Sequence, residues 1–524
     1  MTALYNTEST FARDLFRDAD EMYAAIKLKV QTDWVVLPES EVERRLFDDG
    51  AEVLRRLLQS HVTLRGQAKP VEAVVGADGA ERTHVREDTG EGRPIESIFG
   101  TVRLQRTGYR GRGLVALQPV DADLNLSPWK YSLEVERRVA LAAARNSFDA
   151  TGDLIAQTTH ASVAKRQIEE LARRAALDFD EFYARREFDP SIAVETGPLM
   201  ILTFDQKGIV MRKEDLLDAT RKIAEGESRK LQSRHSKGEP HGRKRMAAVS
   251  AVYTVQPHDR SAADIIKGLR RIRDVKQKKG PTPELKRLWA SVDQPPKDVI
   301  RAAFAEALKR DPNREKRWIV LIDGDRKLER WVKSAAKEFD VTVTFGLDMI
   351  HALQYLWKAG MAFHAEGTPV LENWVLERLE RILEGKVSDV VAGMTRSATL
   401  QELTKEQRKP VDRCALYFLR RKHMMRYDEL LAIGAPVATG VVEGGCKYLI
   451  NDRLDVTGAR WSLLGAEAVL CIRALVTSGD FDEYWTFHEA NERHRNHDTK
   501  YLNQRPPPVA LPARGRRHLR VVKE

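Results

Sequence analysis

Three short apolar stretches between residues 197 and 348 each run into an aspartate, and this arrangement limits the possible fold more than any other feature of the chain. Residues 198–204 (PLMILTF) lead to Asp205, residues 318–322 (WIVLI) lead to Asp323, and Val341, Val343 and Phe345 alternate toward Asp348. Apolar runs of this length bounded by polar breaks are the pattern of buried strands. Between the second and third, Leu328, Trp331, Val332, Ala335 and Phe339 fall on one helical stripe. Strand and helix in alternation predict an α/β sheet, and acids at strand ends in an open sheet converge on one rim. Gly208 predicts a turn from Asp205 into Ile209–Met211, the edge of a hairpin, and Met246–Val255 alternates as a further strand. Residues from about 350 to 430 are helical in pattern, carried by Leu371, Trp374, Val375, Leu379 and Ile382.

A chain of 524 residues exceeds what one core usually organises, and about 150 residues per domain suggests several units. Its 87 basic and 77 acidic side chains leave a net charge of +10, which favours a polyanionic partner such as nucleic acid. The opening MTALYNTESTFARDLF carries acids where a signal peptide needs a basic segment and an apolar core, so a cytoplasmic protein without a membrane partner is expected. Cys414, Cys446 and Cys471 include no CxxC pair, and they read as buried thiols rather than a disulfide or zinc framework.

The remaining organisation follows from local texture. Residues 1–95 read as amphipathic helices, clearest in PESEVERRLFDDGAEVLRRLLQSH, and residues 96–125 as a small β element whose arginines face either DNA or solvent. Within residues 126–190, an apolar-faced helix (Phe148, Ala150, Leu154, Ile155) and a second one after a polar break have the outline of a helix-turn-helix. Ser162 is then the expected N-cap, and Lys165, Arg166, Arg173 and Arg174 are candidate DNA contacts on exposed parts of the second helix. A plain helical hairpin with a solvated basic face fits the same pattern. Residues 219–245 read as a basic, phosphate-contacting loop, and residues 481–524 as a basic C-terminal tail.

Phosphodiester chemistry with two divalent ions needs clustered carboxylates, because hard cations prefer oxygen ligands. Asp205 and Asp323 meet that need as strand-end acids. A third comes from GAPVATGVVEGGCKYLINDRLDVTGARW, where Thr439 is placed to cap a helix with Val442, Cys446, Leu449 and Ile450 on its apolar side. Glu443, Lys447 and Asn451 recur every four residues on the other side. Gly444 and Gly445 point to close approach of a backbone, metal or nucleic acid, or simply to tight helix packing. Lys447, Arg453 and Arg460 are candidate phosphate clamps, with surface pairing to Asp452 or Asp455 as the plainer reading, and Trp461 is expected in the core. Asp348 with His351 makes at most half a zinc site.

These segments resemble the bacterial insertion-sequence transposases of the ISKra group, members of the DDE superfamily with an RNase H-like core. The resemblance runs from about residue 98 to 487. It is most specific in ATGVVEGGCKYLINDRLDVTGARWSLLGAEAVLCIRAL followed by GDFDEYW, with support from LTFDQKGIVMRKED, VLIDGDRKLERW and LDMIHALQYLWKAG. It implies an α/β fold: an RNase H-like catalytic core over 195–480 with a helical insertion at about 352–430, preceded by a mainly helical DNA-binding region with a small β element. It also implies that Asp205, Asp323 and Glu443 are the catalytic acids and the ligands of two Mg²⁺ or Mn²⁺ ions. The interval of 443 − 323 = 120 residues suits an insertion before the last acid. The implied partners are element ends, target DNA and further copies of the chain. No nucleotide cofactor is expected, since no GxxxxGK[ST] loop is present. Relatives often carry cysteines near the β element; TGYRGRGLVALQ has none, so no zinc-stabilised module is expected there. The alternatives are a DNA-binding regulator without catalysis and a metal-dependent nuclease without strand transfer.

Overall fold

The computed structural model describes residues 10–88, 90–189, 191–226, 243–270, 280–456 and 458–511. They belong to two compact units, residues 183–480 and residues 1–182 with 481–524.

The unit of residues 183–480 is built on a mixed five-stranded sheet. Its strands are β1 (Leu199–Val210), β2 (Lys244–Val255), β3 (Glu284–Ser291), β4 (Arg317–Ile322) and β5 (Val343–Leu347), in the order β5-β4-β1-β2-β3. β1, β2 and β3 form an antiparallel meander, and β4 and β5 extend it in parallel on the other side of β1. Every residue of β1 from Leu199 to Phe204 is buried, as a central strand covered on both faces requires. Helix α1 (Pro296–Arg310) packs on β2 through an apolar stripe that includes Val299, Ile300, Ala303, Phe304 and Ala307. Helix α2 (Arg326–Glu338) starts at an Asp325 N-cap and connects β4 to β5. Then come α3 (Met349–Gly360), α4 (Pro369–Leu383), α5 (Val387–Leu400), α6 (Lys405–Arg421) and α7 (Tyr427–Ala432), the expected helical stretch. Leu371, Trp374, Val375, Leu379 and Ile382 are all buried, as their spacing predicts. The short α8 (Gly440–Gly445) and the long α9 (Leu463–Ser478) follow, with α9 packed on β3.

One expectation on β1 is corrected. The strand does not stop at Asp205; it continues to Val210, paired with β2 as far as Val210↔Lys244. The antiparallel partner satisfies the backbone through the polar Asp205, Gln206 and Lys207, so Gly208 sits within a strand rather than at a turn. The basic 219–245 stretch begins inside a helix (Asp218–Gly226) and ends inside β2, and its middle, 227–242, lies outside the described residues.

In the other unit, two long helices, Thr10–Gln31 and Glu39–Gly66, pack on each other. Strand structure then starts at Lys69, earlier than the expected residue 96. The pieces are two to five residues long and largely exposed at His84–Glu87, too short to show alternation in sequence. Three helices follow, Leu133–Ala143, Phe148–Thr158 and Lys165–Arg174, each packed against the other two. The last is preceded by Ala164 rather than a Ser162 cap; the Ser162 amide instead donates to Glu96 Oε1 at 3.1 Å.

Residues 481–511 are no tail. The helix Phe481–Asn496 joins the N-terminal unit: Tyr484 donates its hydroxyl to the Ala175 carbonyl at 2.7 Å, and His488 Nδ1 lies 2.6 Å from Asp178 Oδ2. Tyr501 enters a small core with Val74, Tyr109, Leu117 and Ala122, and Val509–Ala510 pairs with Lys69–Pro70. The apolar residues Phe481, Tyr484 and Trp485 drive this return. The basic residues after 511 lie outside the described residues. Among the described residues no helix is long and apolar enough to cross a membrane.

Candidate active site

Strand register brings the first two acids together. The parallel ladder of β1 and β4 ends at Thr203↔Leu321; two residues further along the chain stand Asp205, still within β1, and Asp323, just past the end of β4. Both carboxylates are half-buried at this rim. Burial pushes the Asp205 carboxyl above its ordinary range and the negative charge of Asp323 adds to that. Hydrogen bonds from the Cys446 thiol and the Gln206 amide pull the other way. Asp205 Oδ1 accepts from the Gln206 amide at 2.6 Å, and Oδ2 accepts from Cys446 Sγ at 3.2 Å.

Cys446 links this pair to the third acid. Glu443 lies on the exposed side of α8 and Cys446 follows its last residue, Gly445. Burial raises the Cys446 thiol well above its usual range, and the charges of Asp205 and Glu443 raise it further, so both acids act on this one sulfur. Val442, Cys446, Leu449 and Ile450 are buried, as the apolar stripe predicts. The four-residue spacing is interrupted, because Cys446–Asn451 winds as a π-helix. Such turns are rare and recur at functional sites. Glu443 and Lys447 remain exposed, while Asn451 is half-buried. Among the described residues, no three His, Cys, Asp or Glu side chains stand close enough to form a ready-made metal cage. The arrangement is thus an adjacent aspartate pair with a flanking glutamate on a separate segment.

The turn after β4 is held from α6. Tyr417 donates its hydroxyl to the Asp323 carbonyl at 2.6 Å, and Arg421 Nε donates to the Gly324 carbonyl at 2.8 Å. The Tyr417 ring stacks on Tyr355 at 3.9 Å, and His351 packs edge-on to Tyr355 and tilted against Tyr417 rather than with a metal set. Asp325 is an N-cap, accepting from the Lys327 and Leu328 amides. Asp348 caps α3 through the Ile350 amide. Thr439 stands at the N-cap position of α8 but makes no side-chain cap bond.

Gly445 is a packing glycine. An added Cβ would lie 2.6 Å from Leu288 Cδ1, and Leu288 is fully buried in β3. Gly445→Ala is therefore expected to destabilise the protein by about 1–3 kcal/mol through overpacking. Gly444→Ala, with only Tyr448 nearby at 3.8 Å, should leave the melting temperature unchanged or raise it. Thermal melts showing equal loss for both would remove this packing account.

The candidate DNA contacts separate into two groups. Lys165 and Arg166 are exposed on the first turn of their helix, Lys165 pairing with Asp149, and Arg173 is partly exposed beside Glu170. Arg174 is corrected: it is 8% exposed, pairs with Glu136 at 3.1 Å and lies over the Trp129 ring, so its role is structural. Lys447 and Arg460 are exposed. Arg453 is also corrected: it is buried against Trp461, and burial together with Arg473 pulls its guanidinium down to about 10. Trp461 is core, as expected, and Asp455 pairs with Lys244 rather than with its sequence neighbours. All three cysteines are buried thiols outside any disulfide. The Cys446 contact with Asp205 and the Tyr417 and Arg421 clamp carry no local sequence signal. No protein-family model and no curated protein sequence matches the chain.

Proposed function

We propose that this chain is a DNA transposase of the DDE type, similar to those of the ISKra group, with Asp205, Asp323 and Glu443 as its catalytic acids. The observation that carries the reading is the register of β1 and β4, which sets Asp205 beside Asp323 while Cys446, three residues after Glu443, donates to Asp205. An antiparallel β1-β2-β3 meander extended in parallel by β4 and β5 supports an RNase H-like core, and α4 to α7 supply the insertion ahead of Glu443.

The donor set suits hard divalent ions. Burial is the main reason the Asp205 carboxyl is raised and the charge of Asp323 adds to it, and a cation bound between the two would relieve both penalties. Asp205, Asp323 and Glu443 would hold two Mg²⁺ or Mn²⁺ ions. Bound there, such ions stabilise attacking and leaving oxygens in an in-line displacement. The sheet positions the half-buried Asp205 and Asp323, and the exposed Lys447 and Arg460 are the phosphate partners of this reading. The reaction class is hydrolysis at an element end, followed by attack of the freed 3′-hydroxyl on target DNA. Lys165, Arg166 and Arg173 remain as the DNA-facing set of the N-terminal unit. Joining two ends implies assembly of at least two copies on DNA.

The test is incubation of purified protein with DNA bearing its flanking terminal repeats, with Mn²⁺, and mapping of products. Nicks at the element ends and joined strands are expected. Nicking without joining would make the protein a nuclease, and salt-sensitive binding without any nicking would make it a regulator.

A further inference from the structure

We propose that Asp348 is a positioning residue that fixes Glu443 relative to Asp323. The role rests on the reading of those two acids as members of one active centre. Asp348 lies between β5 and α3 and is 8% exposed. Its backbone amide donates to the carbonyl of Ile322, the residue before Asp323, at 2.8 Å. Its Oδ1 accepts from the Ile350 amide at 3.2 Å and from the Thr439 amide at 3.1 Å. The Thr439 carbonyl in turn accepts from the Glu443 amide at 2.9 Å, closing the first turn of α8. Beside it, the Met349 amide donates to the Val437 carbonyl at 3.0 Å. One aspartate thus ties the end of β4 to the start of the segment that carries Glu443.

The tie matters because α8 is weak by itself. It spans six residues, contains three glycines, has no side-chain cap of its own and runs directly into a π-helical turn. A carboxylate accepting from backbone amides makes stronger bonds than a neutral acceptor. With Oδ1 accepting from two amides, the role proposed for Asp348 runs through Thr439. An error of about 1 Å in the placement of a catalytic group lowers rates by roughly a hundredfold.

Two readouts test this: hydrogen exchange across residues 437–446 and Mn²⁺-dependent nicking of terminal-repeat DNA, each on Asp348→Ala and Asp348→Asn. Asparagine keeps an acceptor oxygen where alanine has none. In the alanine variant, exchange should quicken about tenfold or more and nicking should fall about tenfold or more. In the asparagine variant both should stay within about threefold of the parent. Should the alanine variant not fold, Thr439→Pro removes the donor amide while keeping the Thr439 carbonyl position, at a φ of −88° near proline's own, and should quicken exchange in the same way. Unchanged exchange in the alanine variant, or in Thr439→Pro where alanine does not fold, overturns the proposal. So does an asparagine variant as inactive as alanine with its exchange intact, which would make Asp348 a direct participant. A parent protein that nicks nothing defeats the transposase reading instead, and exchange alone then decides whether Asp348 anchors the segment.

Discussion

Asp205→Asn, Asp323→Asn and Glu443→Gln should each lower metal-dependent nicking roughly a thousandfold, the several kcal/mol that metal-ion charge stabilisation supplies to such a transition state. Each change keeps side-chain volume and removes one negative charge from the rim. On the proposed reading salt-dependent DNA binding should persist, because it would depend on exposed cations such as Lys165, Arg166 and Lys447 rather than on these acids. The relevant comparison is single-turnover nicking with Mn²⁺ against binding at matched salt. Parent-level nicking in the Asp323 or Glu443 variant, with loss in Asp348→Asn, would transfer the second or third role elsewhere. The thermal stability of Asp205→Asn should equal or exceed that of the parent, since the substitution removes first the cost of burying a charged carboxylate and then its repulsion with Asp323.

Asp178→Ala should be the most destabilising change in the N-terminal unit, by about 3–5 kcal/mol, the usual result of removing one partner from a buried ion pair. Asp178 is 2% exposed; it lies 2.6 Å from fully buried His488 and accepts from Arg495 at 3.1 and 3.0 Å. Burial alone would raise its carboxyl, but the hydrogen bonds from His488 and Arg495 outweigh it and hold the group well below the usual carboxylate range. The folded value lies below the unfolded one, so the stabilisation is complete above about pH 4 and is lost as pH falls through the folded value. The gap in melting temperature between parent and variant should therefore be widest near neutrality and narrow in acid. A variant melting within a degree of the parent at pH 7 would show that this network carries no stability.

How far the fold could be read in advance depended on how local each signal was. β1 and β4 were legible because a central strand covered on both faces shows as an unbroken apolar run. β3 was not, because a buried arginine disguises it. Arg287 lies over the Tyr183 and Trp289 rings at 3.3 and 4.3 Å and pairs with Glu306 at 2.8 Å, so a charged residue fills a core position. Arg174 and Arg453 misled in the opposite direction: the place of the one on the second helix beside Arg173 and of the other downstream of Glu443 suggested an outward face, yet Glu136 and Trp461 draw them inward. The same holds at the site. The three acids stand in recognisable local settings, whereas the thiol on Asp205 and the amide of Thr439 on Asp348 join residues 241 and 91 positions apart.

The return of residues 481–510 to the N-terminal unit sets a timetable for biogenesis. Asp178 meets His488 and Arg495 only after the whole intervening stretch has been synthesised, and Lys69–Pro70 waits longer still for Val509–Ala510. Chains emerge from the ribosome at roughly 5–20 residues per second, so the first-made module stays incomplete for tens of seconds while the sheet behind it is assembled. Of the two units, the one begun earlier is thus completed later, and a nascent chain stalled before residue 481 would carry the helices of residues 133–174 and Asp178 without Tyr484, His488 and Arg495.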